Sequence, residues 1–242
     1  MGFGITTAIS SLNAKEIELQ TISNNIANIQ TNGFKEVGVS FEATLDKNVS
    51  NPEISDFSHA VVKQNTSYLN FSQGSVARTD NPLDMAIQGD GFFEVQTNEG
   101  IRYTRDGSFS LNNEGTLINA RGDTILTDNG PINIPQGTVI HVGKNGEISA
   151  NDEIIGKLKI TDFTDKWKMQ PIGKNYYSAE GLTPNENLDT AVLQGHIEGS
   201  NVNLVNNITK MIQVSRAYES LQKSIKQQVS ASKLLNRLAQ IG

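Results

Sequence analysis

The stretch Ile22-Ser23-Asn24-Asn25-Ile26-Ala27-Asn28-Ile29-Gln30-Thr31-Asn32-Gly33-Phe34-Lys35 holds the end of one backbone state and the start of another. Upstream of it, Ile5, Leu12, Leu19 and Ile26 recur at seven-residue steps, and Ala8, Ile22 and Ile29 form a second row interrupted by Lys15. This pattern predicts a helix with a narrow coiled-coil seam. Asn24, Asn25 and Asn28 fall on one helical side near its end, where side-chain amides serve backbone groups. Thr31-Asn32-Gly33 then reads as a stop, since glycine is favoured just past a helix end. The turn lets Phe34 dock, and residues 34–45 should run irregular or extended.

The other end of the chain carries a matching row. Leu204, Met211, Val214, Tyr218, Leu221, Ile225 and Leu235 follow steps of three and four, broken by Gln228 and Ser232, and no proline occurs after Asn201. A second long helix is expected, preceded by Gly195 and Gly199 and capped by Ser200 or Asn201. Between the ends, glycines recur at steps of seven or eight from Gly100 to Gly137. That rhythm suits short strands and tight turns, with Gly91 to Gln96 a strand, residues 98–100 a turn and residues 101–104 its return. Asp106-Gly107 and Asn145-Gly146 read as strong turn signals. The residues between the glycines do not match one another, so no solenoid is expected.

The expected class is α+β, with long N- and C-terminal helices in a coiled-coil-like core domain and a central β-rich domain. The boundaries are residues 1–35 for the first helix and turn, 36–84 for an extended connector, 85–180 for the β-rich domain, 181–200 for a return linker and 201–242 for the last helix.

Composition narrows the chemistry. The 242 residues include no cysteine, which removes disulfides, thiolate metal sites and cysteine nucleophiles. The N-terminus lacks the basic start and apolar stretch of a secretory signal, and no apolar run approaches the length of a membrane span. Gly89-Asp90-Gly91 starts like a nucleotide loop, but Glu94 stands where a third glycine belongs, and a strand with Phe92 and Phe93 follows. A turn of positive φ explains these glycines. His59, His141 and His196 have no partners at metal spacing, and Asp80, Asp84 and Asp90 do not follow a calcium-loop spacing. No catalytic, cofactor or metal residue is assigned.

Charge is uneven. Lys210, Arg216, Lys223, Lys226, Lys233 and Arg237 against Glu219 alone give the last segment +5, leaving −11 for the rest of a chain whose total is −6. A basic helix admits a peripheral nucleic-acid or membrane surface as an alternative. Its cations are not densely packed and its stripe lacks Trp and Phe, so a helical protein partner is the more economical reading.

The Ile22–Lys35 spelling resembles the N-terminal signature of the bacterial flagellar rod and hook protein family. Pro82 to Phe93 and Tyr103-Thr104-Arg105-Asp106-Gly107-Ser108-Phe109 are similar to the start of that family's central β domain. Gln194-Gly195, Glu198, Ser200-Asn201-Val202 and residues 211–219, ending Arg216-Ala217-Tyr218-Glu219, resemble its closing helix. The resemblance implies an axial subunit of the basal body located in the periplasm-spanning rod. Its partners would be itself, other rod subunits, hook and ring proteins and the flagellar export apparatus, with no nucleic acid and no membrane insertion. The chain is short for a hook subunit, and the interval from Lys35 to Gly89 is short for a distal-rod subunit, which favours the proximal-rod subunit. On this reading Ile5, Leu12, Leu19, Ile22, Ile26, Met211, Val214, Tyr218, Leu221 and Ile225 make the assembly contacts, while Asn24, Asn25, Asn28, Gly33 and Phe34 set the turn.

Overall fold

The computed structural model describes residues 2–46, 59–135, 137–151, 153–185 and 190–238. Two terminal helices and a β-rich middle make it α+β, and the chain divides into two units. The first combines Met1–Ala27, Val37–Asn70 and Asn203–Gly242; the second combines Asn28–Glu36 and Phe71–Val202.

In the first unit, α1 (Gly2–Ala27) packs against α2 (Leu204–Leu238) and against both strands of an antiparallel ribbon, β1 (Val37–Asp46) and β2 (His59–Leu69). Val37 pairs with Leu69 and Asp46 with His59, with a bulge between Ser40 and Phe41. The ribbon occupies part of the stretch read as a connector, whose middle lies outside the described residues. The seam of α1 also differs from expectation. Leu12, Leu19 and Ile26 are half-buried, whereas Ala14, Ile22 and Asn25 are buried. Packing against a helix and a ribbon together shifts the deepest side of α1 from the Leu12, Leu19 and Ile26 row toward Ile22 of the second row. The cap of α2 moves as well: the Asn206 N–H donates to Asn203 Oδ1 at 3.0 Å, so Asn203 caps the helix. Ser200 Oγ instead accepts from the Val202 N–H, and Asn201 Oδ1 from the Glu36 N–H.

The second unit is built around β3 (Phe92–Thr97), which pairs with β4 (Gly100–Thr104), β5 (Thr124–Thr127) and β6 (Ile160–Phe163). Neighbours on several sides bury Phe92, Phe93, Glu94 and Val95 in succession, so this strand shows no alternation. Phe93 meets Phe109 edge to face in a core with Met85, Ile87, Leu117, Ile125, Ile148 and Leu158. On the other face Phe92 packs with Phe71 and Tyr177. The expected hairpin is present, Thr97 pairing with Gly100 across Asn98-Glu99 with Gly100 at φ +111.

Two local readings change. Gly107 has no positive φ and makes no hairpin: a Cβ there would lie 1.6 Å from the Met85 carbonyl oxygen, so the glycine admits a neighbouring chain. Asp106 Oδ1 instead accepts from the N–H and hydroxyl of Ser108. The stretch read as a return linker holds three strands among its described residues: Pro184–Asn185 pairs with Asp162 and Phe163. Ala191–Gln194 pairs with Met85–Gln88, and His196–Glu198 pairs with Val76–Arg78.

Candidate assembly site

Three distant pieces of sequence converge on the Glu198 carboxylate, all within the second unit. Oε1 accepts from Lys35 Nζ at 2.6 Å and from the Gly74 N–H at 2.9 Å, and Oε2 accepts from Arg105 Nη1 at 3.1 Å. The side chains of Lys35 and Glu198 are 0% exposed and that of Arg105 3%. Lys35 Nζ also donates to the Ser72 carbonyl at 2.8 Å. Arg105 Nη2 donates to the Gly89 carbonyl at 2.7 Å, and the guanidinium lies over the Phe92 ring. Burial lowers the Lys35 pKa from the ordinary lysine value; the facing Glu198 carboxylate opposes that shift and Arg105 adds to it. Burial also raises the Tyr177 phenol above its usual range.

Backbone geometry brings these charges together. Gly33 turns the chain at φ +66 and donates its N–H to the Glu198 carbonyl at 2.7 Å. A Cβ on Gly33 would stand 2.4 Å from both the Arg105 carbonyl carbon and the Asp106 nitrogen. Asn175 Nδ2 donates to the Asn32 carbonyl at 2.6 Å, and the Asn201 N–H donates to the Phe34 carbonyl. Thr31 Oγ1 donates to Asn28 Oδ1 at 3.1 Å. Gly89 and Gly91 adopt positive φ ahead of Phe92, and Asp90 takes a hydrogen bond from Lys166 that lowers its pKa. The cluster is closed to solvent and its carboxylate already has three donors, which makes it a clamp. Among the described residues no group of His, Cys, Asp and Glu is arranged to hold a metal.

In the first unit the asparagines play unequal parts. Asn25 is buried and pins the start of β1 as a strand partner would, Oδ1 accepting from the Val37 N–H at 3.0 Å and Nδ2 donating to its carbonyl at 2.8 Å. Asn24 is exposed, and Asn28, just past the helix and counted with the second unit, is half-buried.

On α2, Met211, Val214, Tyr218, Leu221 and Ile225 form the buried and half-buried row, together with buried Asn207. Ile22 is buried on α1, and the Ile5 side chain lies outside those described. A second apolar row was missed in the sequence: Val205, Ile208 and Ile212 are 72%, 42% and 49% exposed. Their spacing of three and four was the available signal. Farther along, Arg216, Lys223, Lys226 and Lys233 are exposed, as is Glu219, while Ala217 is half-buried. The outward side of α2 therefore begins apolar and continues basic.

Three family models match the chain. One described as flagella basal body rod protein covers residues 5–35, the flagellar hook protein FlgE/F/G D1 domain covers 86–150, and the flagellar basal body rod FlgEFG protein C-terminal covers 193–238. The flagellar basal-body rod protein FlgG of Buchnera aphidicola subsp. Schizaphis graminum is 34% identical over 257 residues, spanning 96% of each chain. FlgF of Mesorhizobium japonicum is 34% identical over 240 residues, covering 93% of this chain and 92% of its own. FlgF of Caulobacter vibrioides is 37% identical over 209 residues, 85% of each. The three matched segments contain Lys35, Arg105 and Glu198 respectively, the three charges of the buried cluster.

Proposed function

The chain belongs to the flagellar basal-body rod protein family, and from that premise we propose that it is the proximal-rod subunit, polymerising through its paired terminal helices into a tube that transmits torque. It is a structural subunit of the basal-body rod, not an enzyme. Its assembly partners are other copies and the neighbouring rod and hook subunits, with ring proteins and the flagellar export apparatus as further partners in this reading.

The observation that carries the polymer is the second apolar row. Packing α2 on α1 leaves Val205, Ile208 and Ile212 in solvent. Fully covering an apolar side chain of this size contributes about 1.5–3 kcal/mol. A neighbouring subunit's helix supplies that cover, and a contact that repeats head to tail without closing builds a filament. The same two helices are proposed to form the coiled-coil-like core. The proximal position rests on the short interval between Lys35 and Gly89, part of it taken up by the ribbon. The alignment with the Buchnera FlgG, at 257 residues, is longer than this 242-residue chain and so opens gaps in it.

The test is Val205→Asp combined with Ile212→Asp, two exposed changes that leave the inner row intact. The expected result is a folded chain missing from isolated basal bodies, in cells that do not swim. Normal incorporation of this variant would overturn the helix-mediated polymer, and an image of the assembled rod fixes the axial position.

A further inference from the structure

The chain passes between its two units four times, after Ala27, after Glu36, after Asn70 and after Val202. On the β-rich side, three of these passages meet at one side chain. Asn201 Oδ1 accepts from the Glu36 N–H at 2.7 Å, and Nδ2 donates to the Ser72 carbonyl at 3.0 Å and to Ser72 Oγ at 3.1 Å. From just before its own passage, Asn201 thus reaches the residue before the second passage and the second residue after the third. An amide suits this task, since it presents an acceptor and two donors in one plane.

The tie is backed from inside the unit. Lys35 Nζ donates to the same Ser72 carbonyl at 2.8 Å, Glu198 Oε1 accepts from the Gly74 N–H, and the Asn201 N–H donates to the Phe34 carbonyl at 3.3 Å. A Cβ on Gly74 would lie 2.1 Å from the Gly199 carbonyl oxygen, and the Gly199 N–H donates to the Ser75 carbonyl at 2.8 Å, so the segments after the third passage and before the fourth run side by side. The Glu36–Val37 passage is gripped at both ends: Asn201 takes the Glu36 N–H, and Asn25 takes the N–H and carbonyl of Val37. Asn28, at the first passage, is held by Thr31 of its own turn.

We propose that Asn201 is a positioning residue for torque: it fastens the segments at Glu36, Ser72 and Asn201 to one another, so that a load on the helices and ribbon enters the β-rich unit through three segments together. Untied, each segment takes the load separately, and local opening starts at the one with least support. The idea rests on the chain carrying torque in the rod, but not on its axial position or on the outer row of α2.

The test places Asn201→Ala, in the full-length chain, in flagellated cells and records motor rotation with a small and a large bead on the filament stub. Asn112→Ala is the matched change: Asn112 Oδ1 accepts from the Glu114 and Thr116 N–H groups within one turn of the same unit. Both variants should enter basal bodies and turn the small bead at the unsubstituted speed. Under the large bead, Asn201→Ala should stall or shed its filament at least about tenfold more often than Asn112→Ala, the scale set by losing side-chain hydrogen bonds of ordinary strength. Asn201→Asp keeps the acceptor for Glu36 and loses the donors to Ser72, so it should fail under the large bead as Asn201→Ala does. Equal failure of Asn201→Ala and Asn112→Ala overturns the proposal, as does large-bead rotation by Asn201→Ala or Asn201→Asp as steady as the unsubstituted chain's. Absence of Asn201→Ala from basal bodies overturns it too, because the tie would then serve assembly and not load. None of these results touches the helix-mediated polymer, whose test is the double change in α2. Rotation in cells lacking the chain would instead remove the torque premise.

Discussion

Replacing Glu198 by glutamine keeps the shape of the buried cluster and deletes its only carboxylate. Lys35 Nζ and Arg105 Nη1 then face a neutral amide from 2.6 and 3.1 Å, inside a site where neither side chain is more than 3% exposed. Breaking a buried pair from one side costs about 3–5 kcal/mol, because the remaining charge is left without compensation. At about 2–4 °C per kcal/mol for a chain of this size, the melting temperature should fall by about 6–20 °C. Calorimetry of the full chain at neutral pH reads this directly. The pH dependence tests the cause. Lys35 has a folded pKa below its unfolded value of 10.5, so between those two values the unfolded chain binds more protons and stability rises with pH. Without the Glu198 carboxylate, which opposes that lowering, the window extends further down. The deficit of Glu198→Gln should therefore shrink between pH 7 and pH 9.5. Lys35→Met in the same chain should remove part of the penalty, giving a coupling of at least about 1 kcal/mol. A loss under about 1 kcal/mol, or strict additivity of the two changes, would refute the view that these charges depend on one another.

Gly33→Ala meets both a left-handed backbone and main-chain atoms at 2.4 Å, and should destabilise the second unit by at least about 3 kcal/mol in urea titration. Asn25→Ala strips the Val37 amide and carbonyl of their side-chain partner, at about 1–3 kcal/mol, and the Val37 amide should then exchange with deuterium markedly faster. Asn203→Ala removes the cap of α2 and should cost about 1 kcal/mol, with extra exchange confined to the first turn of that helix; Ser200→Ala should leave this turn unchanged.

What could be read from the sequence was what local chemistry dictates. The end of α1 was legible because Gly33 is needed at positive φ, and the strand Phe92–Thr97 because two phenylalanines follow a Gly-Asp-Gly turn. The inner row of α2 was legible from its three- and four-residue steps. Gly107 misled because glycine before a strand signals a turn, whereas its task is to admit the Met85 carbonyl. The strands at 191–194 and 196–198 were hidden because they are short, mixed in polarity and paired with partners more than a hundred residues earlier. Glu198 was legible only as a letter in a familiar spelling. Its two cations lie 93 and 163 residues away, and nothing in the intervening chain announces that they meet.

Those long separations also bear on when the β-rich unit can exist. Its first edge, Val76–Arg78, waits for His196–Glu198, and Met85–Gln88 waits for Ala191–Gln194. Neutralising Lys35 and Arg105 requires a residue nearly at the start of α2. A chain that emerges from one end, whether from a ribosome or a narrow conduit, thus carries its central strands for most of the journey without the pieces that close them. Folds dominated by such distant pairings form slowly, since loop closure precedes the reward. The architecture delays its own completion until almost the whole polypeptide is free.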